Sequence, residues 1–158
     1  MKKIEDIIVE IGSRLEFEAV KEVEASGSAW IDVVWFDKSI PISSLGVKKP
    51  DLRKHPVLPV VGFEIEKKTA NDAKHIKGSI SNLEVLGAPL GVIVIGQDNL
   101  KIWRKQADKY KNLSDTELEE KILKRLRKWK DEVRPRCRIV IMLEKDIIEW
   151  TNRLGVKI

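Results

Sequence analysis

The stretch PVVGFEIEKK, Pro59–Lys68, passes directly from an apolar run into four charged residues. Residues i, i+2 and i+4 of a β-strand share a face. A strand here therefore carries Glu64, Glu66 and Lys68 on one face and Lys67 on the other. Carboxylates held so close together repel each other unless a partner or a cation compensates them. The end of this strand is the first place to look for chemistry.

The segments around this strand alternate between helical and strand patterns. FEAVKEVEA (17–25) fits either a continued helix or a first strand, because its apolar residues satisfy both spacings. The other predictions are a helix over 3–14, a strand in WIDVVWF (30–36), a helix in TANDAKHIKGSISNLEVL (69–86) and a fully apolar strand in LGVIVIG (90–96).

The C-terminal third continues the same alternation. NLKIWRKQADKYKNL (99–113) is predicted to be helical, and SDTE (114–117) is a capping box that opens a further helix. RIVIML (138–143) predicts a strand and KDIIEWTNRL (145–154) a last helix. This order predicts an α/β protein with helices on both faces of a mixed central sheet. The length of 158 residues fits one domain.

Composition and charge narrow the class of protein. No apolar run approaches the roughly 20 residues that a membrane span needs, and acids interrupt the start of the chain, so we expect a cytoplasmic protein. Cys137 is the only cysteine, which excludes a disulfide framework and a cysteine-based metal site. The net charge is −4 over residues 1–36 and +7 over 101–138. Basic flanks around an acidic region suit a polyanion held over a cation, although solvated helix faces explain them equally well.

Asp32 is the one charged residue within its predicted strand. If that strand pairs with the next near Glu64 and Glu66, three carboxylates meet at one edge of the sheet. Mg²⁺ takes oxygen ligands, usually a few carboxylates together with water and substrate phosphate. Such an ion activates water and stabilises a leaving oxygen, which phosphodiester hydrolysis requires. Ordinary salt bridges of Glu64 and Glu66 at a strand end are the alternative.

Asp32, then VVGFEIEKK, a helix and LGVIVIG together resemble the PD-(D/E)xK nuclease superfamily over about residues 1–97. The resemblance implies a restriction-endonuclease-like three-layer sandwich with an α-β-β-β-α-β core, which favours a strand at FEAVKEVEA. Residues 98–158 would form a C-terminal α/β extension within a single nuclease-like domain. The implied function is a metal-dependent endonuclease that hydrolyses DNA and uses Mg²⁺ or Mn²⁺. Such enzymes usually act as homodimers, since two strands require two cuts.

The resemblance also implies site residues. Asp32 matches the family's acid at the end of the second strand, and Glu64-Ile65-Glu66 matches Glu-x-Lys with Glu66 in place of the lysine. The implied metal ligands are therefore Asp32, Glu64 and Glu66. Lys68, on the same face, would supply the ammonium, and Lys67 could do so only if the strand twists or bulges. The candidates for an additional acid are Glu5, Glu10 and Glu22.

A long basic segment, residues 37–57, separates the two strands that carry the candidate acids. Its cations Lys48, Lys49, Arg53 and Lys54 are the predicted nucleic-acid contacts, and a merely solvated loop is the alternative. Because Glu66 replaces the family's lysine, a second function stays open. The chain would then be a catalytically inactive nuclease-fold module that binds nucleic acid or a protein partner.

Overall fold

The structure is a computed structural model that describes residues 1–39 and 58–158. The strands of this part are β1 (Glu18–Ser26), β2 (Ala29–Asp37), β3 (Leu58–Glu66), β4 (Leu90–Ile95) and β5 (Arg138–Leu143). The helices are α1 (Ile4–Arg14), α2 (Ala73–Leu86), α3 (Asp98–Gln106), α4 (Asp115–Val133) and α5 (Glu144–Leu154), with a 3₁₀ turn at Asp108–Tyr110. The predicted element order is confirmed, and FEAVKEVEA is a strand. The predicted nucleic-acid contacts Lys48, Lys49, Arg53 and Lys54 lie outside the described residues.

The five strands form one mixed sheet in the order β1-β2-β3-β4-β5. The first three strands pair antiparallel, and β3, β4 and β5 run parallel to one another. The carboxyl ends of β3, β4 and β5 therefore lie at the same edge of the sheet. The predicted α/β class with a mixed central sheet is confirmed for the described residues.

Helices cover both faces of the sheet. On one face, Val34 and Phe36 of β2 join a buried cluster with α2, α3 and α4. On the other face, Val33 and Trp35 join a second buried cluster with α1 and α5. The alternation along β2 thus feeds two separate cores, as a sheet buried on both sides requires. Within the described residues, no helix is both long and apolar enough to cross a membrane.

Helix α2 lies unusually close to the sheet because two glycines pair beneath it. Gly62 of β3 is aligned with Gly91 of β4. A Cβ at Gly62 would lie 2.6 Å from Leu86 and 2.9 Å from Leu83, and one at Gly91 would lie 3.0 Å from Leu83. The helix starts after its N-cap, Asp72, whose side chain accepts the Lys74 N–H at 2.9 Å. The close approach brings polar side chains of α2 within reach of β3.

Helix α1 is fixed to the opposite face by Trp35. Its indole N–H donates to the Ile8 carbonyl at 3.1 Å, and its ring stacks on Phe17 with the centroids 5.5 Å apart. The ring lies so close to α1 at Gly12 that a Cβ there would be 2.7 Å from the Cδ1 atom of the indole. The position of α1, and of every side chain that it presents, depends on this contact.

We expect Gly12→Ala to lower the free energy of unfolding by about 1–3 kcal/mol, because the new methyl group displaces the Trp35 ring. Helix propensity alone favours the opposite sign. Gly78→Ala is the matched control, since Gly78 is also within a helix but a Cβ there would have nothing within 4 Å; it should gain about 0.5–1 kcal/mol. Urea denaturation measures both values. Equal effects of the two substitutions would refute the tight contact.

Candidate active site

Asp32 and Glu64 meet where β2 and β3 stop pairing. The β2–β3 ladder reaches Val33, which is aligned with Phe63, and Asp32 is the next residue of β2 beyond it. Beyond this point the Ile65 N–H donates to a side chain of β2 instead of to its backbone, since Asp32 Oδ2 accepts it at 2.7 Å. The Asp32 carboxyl also shares a hydrogen bond with the Glu64 carboxyl. The structure thus brings together two acids that are more than thirty positions apart in the sequence.

The strands are irregular at this point. Ile31 packs in the cluster under α2, whereas Val33, two residues later, packs in the cluster under α1. Regular alternation would put both on one face, so the side-chain order changes at Asp32. Glu22, which lies opposite Asp32 on β1, has a φ of 53°. A left-handed backbone at a non-glycine residue costs about 1–3 kcal/mol and is typical of functional sites.

Both carboxyl groups of the pair are held in an environment that disfavours charge. Burial raises the pKa of Glu64 to about 8; the Asn82 amide, donating at 3.0 Å, opposes the shift, and the neighbouring Asp32 adds to it. Burial also raises the pKa of Asp32, against the Ile65 N–H that lowers it, and Glu5 and Glu66 raise it further. Two acids with raised pKa values hold a proton between them near neutral pH.

Glu66 has a different environment from the pair. It is buried, and its two oxygens accept hydrogen bonds from the Ser79 hydroxyl at 2.5 Å and from the Thr69 hydroxyl. Glu64 and Glu66 share a face of β3, as predicted, and both point to α2. Because donors already occupy both oxygens of Glu66, the structure does not place it with Asp32 and Glu64 as a third open ligand.

Helix α1 contributes a further acid, Glu5. Its carboxylate forms an ion pair with the Lys67 ammonium, while its Oε2 atom is buried without a hydrogen-bond partner among the described residues. Burial works to raise the pKa of Glu5, but the Lys67 ammonium outweighs it, so that the net shift is downward. The same ion pair raises the pKa of Lys67, and Asp32 contributes to that shift. Glu5, Asp32 and Lys67 therefore form one electrostatic unit.

The other predicted residues lie elsewhere. Lys68 is exposed, because β3 ends at Glu66 and the strand alternation that placed it beside Glu64 does not continue. Glu10 forms an ion pair with Lys2 at 2.6 Å, and Glu22 is exposed on β1. Of the three additional acids considered, the structure brings Glu5 to the pair.

Asn99 of α3 was not found from the sequence. It is fully buried, its amide donates to the carbonyls of Glu66, Lys67 and Gly96 at 2.6–3.0 Å, and its oxygen accepts the Ala70 N–H at 3.1 Å. These bonds fix the chain as it leaves β3 and so direct Lys67 toward α1. In the sequence, Asn99 is one polar residue within an amphipathic helix pattern, and this pattern does not indicate its role.

A cleft of about 480 Å³ opens beside the site, between the start of α1 and the carboxyl ends of β3 and β4. Glu5 and Lys67 line it, together with Lys68, Gln97 and Glu144. Asp32 and Glu64 are not among its lining residues. The cleft therefore ends at Glu5 and Lys67, next to the acid pair but without contacting it, at the sheet edge where α/β proteins commonly bind ligands.

The donor set fits a hard divalent cation in part. Within residues 1–39 and 58–158, no three His, Cys, Asp or Glu side chains form a ready-made metal-binding group. Glu66 is engaged by hydroxyl groups and Glu5 by Lys67, which leaves Asp32 and Glu64. Two carboxylates are enough for Mg²⁺, which keeps water and substrate oxygens as its other ligands. The raised pKa values indicate that a full negative charge on both acids is unfavourable without a cation, and one Glu5 oxygen has no hydrogen-bond partner among the described residues.

The chain matches no family model, and searches of curated proteins and of solved structures give no match either. The function is therefore argued from the site itself.

The acid pair makes stability depend on pH with a defined sign. The pKa of Glu64 rises from 4.5 to about 8 on folding, so the folded state keeps a proton that the unfolded state has lost between these values. The contribution of Glu64 to stability is then fully present below about pH 4.5 and is lost as the pH rises toward 8. Without divalent cations at pH 8.5, we expect Glu64→Gln to exceed the wild type in free energy of unfolding by on the order of 2 kcal/mol.

Denaturation at pH 4 and pH 8.5 in EDTA measures this difference, which should vanish at pH 4. Glu10→Gln is the control, because that acid is half-exposed and paired with Lys2. Millimolar Mg²⁺ should stabilise the wild type at pH 8.5 and leave Glu64→Gln unchanged. A difference that stays constant between the two pH values would mean that the pair holds no proton.

Proposed function

We propose that the chain is a metal-dependent endonuclease that hydrolyses DNA phosphodiester bonds and uses Mg²⁺ or Mn²⁺. The observation that carries this proposal is the contact between the Asp32 and Glu64 carboxyl groups. Glu64 is buried and Asp32 partly buried, so ionising both acids is unfavourable for folding, and a divalent cation in place of their shared proton removes that cost. A charged cleft with an ammonium beside them suits a phosphate substrate.

Asp32 and Glu64 would hold the cation, and their shared proton must leave before it binds. Such an ion supplies charge for a developing oxyanion and lowers the pKa of bound water. The Ile65 N–H and the Asn82 amide orient the two carboxylates by occupying one oxygen of each. Glu66 keeps β3 and α2 aligned through Ser79 and Thr69.

Lys67 is paired with Glu5 and interacts with Asp32, and we assign it the part that the sequence suggested for Lys68. Its ion pair with Glu5 holds the ammonium at the cleft wall. From there it can donate hydrogen bonds to a phosphoryl oxygen or to the attacking water. If Glu5 accepted hydrogen bonds from water on the divalent ion instead of from Lys67, the Lys67 ammonium would become free to contact the substrate.

The topology supports the proposal. The described chain begins α-β-β-β-α-β, with three antiparallel strands and a fourth parallel to the third. This is the order expected of a restriction-endonuclease-like core, with α3 to α5 and β5 as the extension. DNA is the proposed partner, with Lys48, Lys49, Arg53 and Lys54 as further contacts, and a homodimer would supply one cut to each strand.

The alternative is an inactive module of the same fold that binds nucleic acid or a protein partner. The position of Glu66 favours it, because the family's lysine is replaced by an acid whose oxygens both accept hydrogen bonds. In that case Asp32 serves mainly as acceptor for the Ile65 N–H where the ladder ends. Nucleic-acid binding without cleavage under any divalent metal would select this alternative.

We expect Asp32→Asn and Glu64→Gln each to reduce cleavage by roughly 100-fold or more, because each removes a charge from the cation site. Glu5→Gln should also reduce it, while Glu10→Gln, on the same helix but paired with Lys2, should cut like the wild type. The measurement is cleavage of plasmid, single-stranded and branched DNA with Mg²⁺ or Mn²⁺. A wild type that cuts none of these, or an Asp32→Asn variant that cuts normally, would refute the nuclease proposal.

Lys67→Ala and Lys68→Ala separate the two candidate ammonium groups. The residues are neighbours and both are exposed, but only Lys67 has an ion pair with Glu5 among the described residues. We expect Lys67→Ala to lower the cleavage rate roughly 100-fold and Lys68→Ala to change it only a few-fold. Single-turnover cleavage rates of the two variants measure this difference. If Lys68→Ala were the slower variant, the assignment would be reversed.

A further inference from the structure

The outer face of α4 carries a stripe of positive charge far along the chain from the acid pair. Lys121, Lys124, Arg125 and Lys128 follow the spacing i, i+3, i+4 and i+7, so they lie along one side of the helix, and all four are exposed. The opposite side of the same turns carries Ile122 and Leu126, which are fully buried. The charged stripe is therefore the solvent face of a well-anchored helix.

These cations are not compensated by neighbouring acids. Among the described residues, none of the four has a carboxylate within 4.0 Å, whereas other cations nearby do. Glu132 interacts at longer range with Lys128, but its own ion pair is with Lys77 of α2 at 2.7 Å. The stripe thus keeps its charge available to solvent.

Helix stability accounts for the stripe only in part, because Glu117 and Glu120 lie four residues before Lys121 and Lys124 but the stripe also contains like-charge pairs. Lys121 and Arg125, and likewise Lys124 and Lys128, are like charges at i and i+4, and each such pair destabilises a helix. Cations favour a helix through its dipole only in the last turn, which here is Lys130–Val133.

The surface on both sides of the stripe is concave. One depression is lined by Lys121, Lys124, Arg125 and Lys128 together with Lys109 and Tyr110 from the preceding 3₁₀ turn, and no acid is among these lining residues. A second, shallower depression is lined by four cations, Lys124, Arg127, Lys128 and Arg134, and by two acids, Asp131 and Glu132. Lys124 and Lys128 belong to both, so they form the ridge between two basic hollows.

We propose that this surface binds the sugar–phosphate backbone of DNA. Four cations over eight residues span about 10 Å of helix, and each strand of duplex DNA presents one phosphate per roughly 3.4 Å of helix axis. A backbone lying along α4 therefore meets several phosphates at once. The identity of the polyanion rests on the proposed function, while the surface itself does not involve the acid pair.

The test is DNA binding by Lys124→Gln/Lys128→Gln, measured in EDTA so that cleavage plays no part. Glutamine keeps the helix propensity of lysine, and a thermal melt checks the fold. Fluorescence anisotropy with a labelled duplex and a labelled single strand is recorded between 50 and 200 mM salt. We expect roughly tenfold weaker binding of the duplex and a salt-dependence slope reduced by about 2, since two phosphate contacts are lost.

Arg14→Gln/Lys157→Gln is the control, because it removes the same charge from exposed residues near α1 and α5, on the other face of the sheet. It should change affinity and slope much less. Equal effects of the two double variants, or a wild type that does not bind DNA at 50 mM salt, would overturn the inference. Binding as expected without cleavage by any metal would uphold this surface and reject the nuclease instead.

Discussion

A buried carboxylate needs a hydrogen-bond donor, and Glu64 and Glu66 are buried side by side at the end of β3. Their donors come from α2, through Asn82 and Ser79. That geometry requires the helix to lie close to the sheet, which the aligned glycines Gly62 and Gly91 allow. The short distance between α2 and the sheet therefore produces both the apolar contact of Leu83 with the strands and the polar contacts to the glutamates. A side chain at either glycine would move α2 outward and leave both acids without their donors.

The two glutamates also show how a structural acid differs from a reactive one. Both oxygens of Glu66 are satisfied by hydroxyl groups, so its burial needs nothing further. Glu64 has one amide donor and faces the Asp32 carboxyl, and burial raises its pKa to about 8. Glu5 adds a buried oxygen without a partner among the described residues. The groups whose hydrogen bonding or charge state is strained are thus Asp32, Glu64 and Glu5, and this asymmetry is the physical basis for placing the candidate site there.

The sequence was sufficient for features that depend on local periodicity. Apolar spacing predicted the order of the elements. The SDTE pattern predicted the capping box at Ser114, and strand alternation predicted the shared face of Glu64 and Glu66. It failed where tertiary contacts decide. FEAVKEVEA fits two periods, and pairing with β2 makes it a strand. Lys68 was placed by extending a strand that ends at Glu66. Choosing Glu5 over Glu10 requires the docking angle of α1, which Trp35 and Gly12 set, and the hydrogen bonds of Asn99 join segments about thirty residues apart.

Glu66 stands where the Glu-x-Lys motif has its lysine, but the replacement matters less for the proposed function than the motif suggests. A neighbouring lysine, Lys67, can supply the positive charge instead. After Glu66 the chain leaves the sheet, and the buried amide of Asn99 holds the carbonyls of Glu66 and Lys67 as it does so. The turn carries Lys67 to the α1 side, where it meets Glu5. A lysine at position 66 would instead point toward the hydroxyl groups of Ser79 and Thr69. These hydroxyl groups are placed to donate hydrogen bonds to a carboxylate. The hydrogen bonds that make Glu66 suitable for its position are thus consistent with an ammonium supplied from the next residue, which is the part that the proposed function assigns to Lys67.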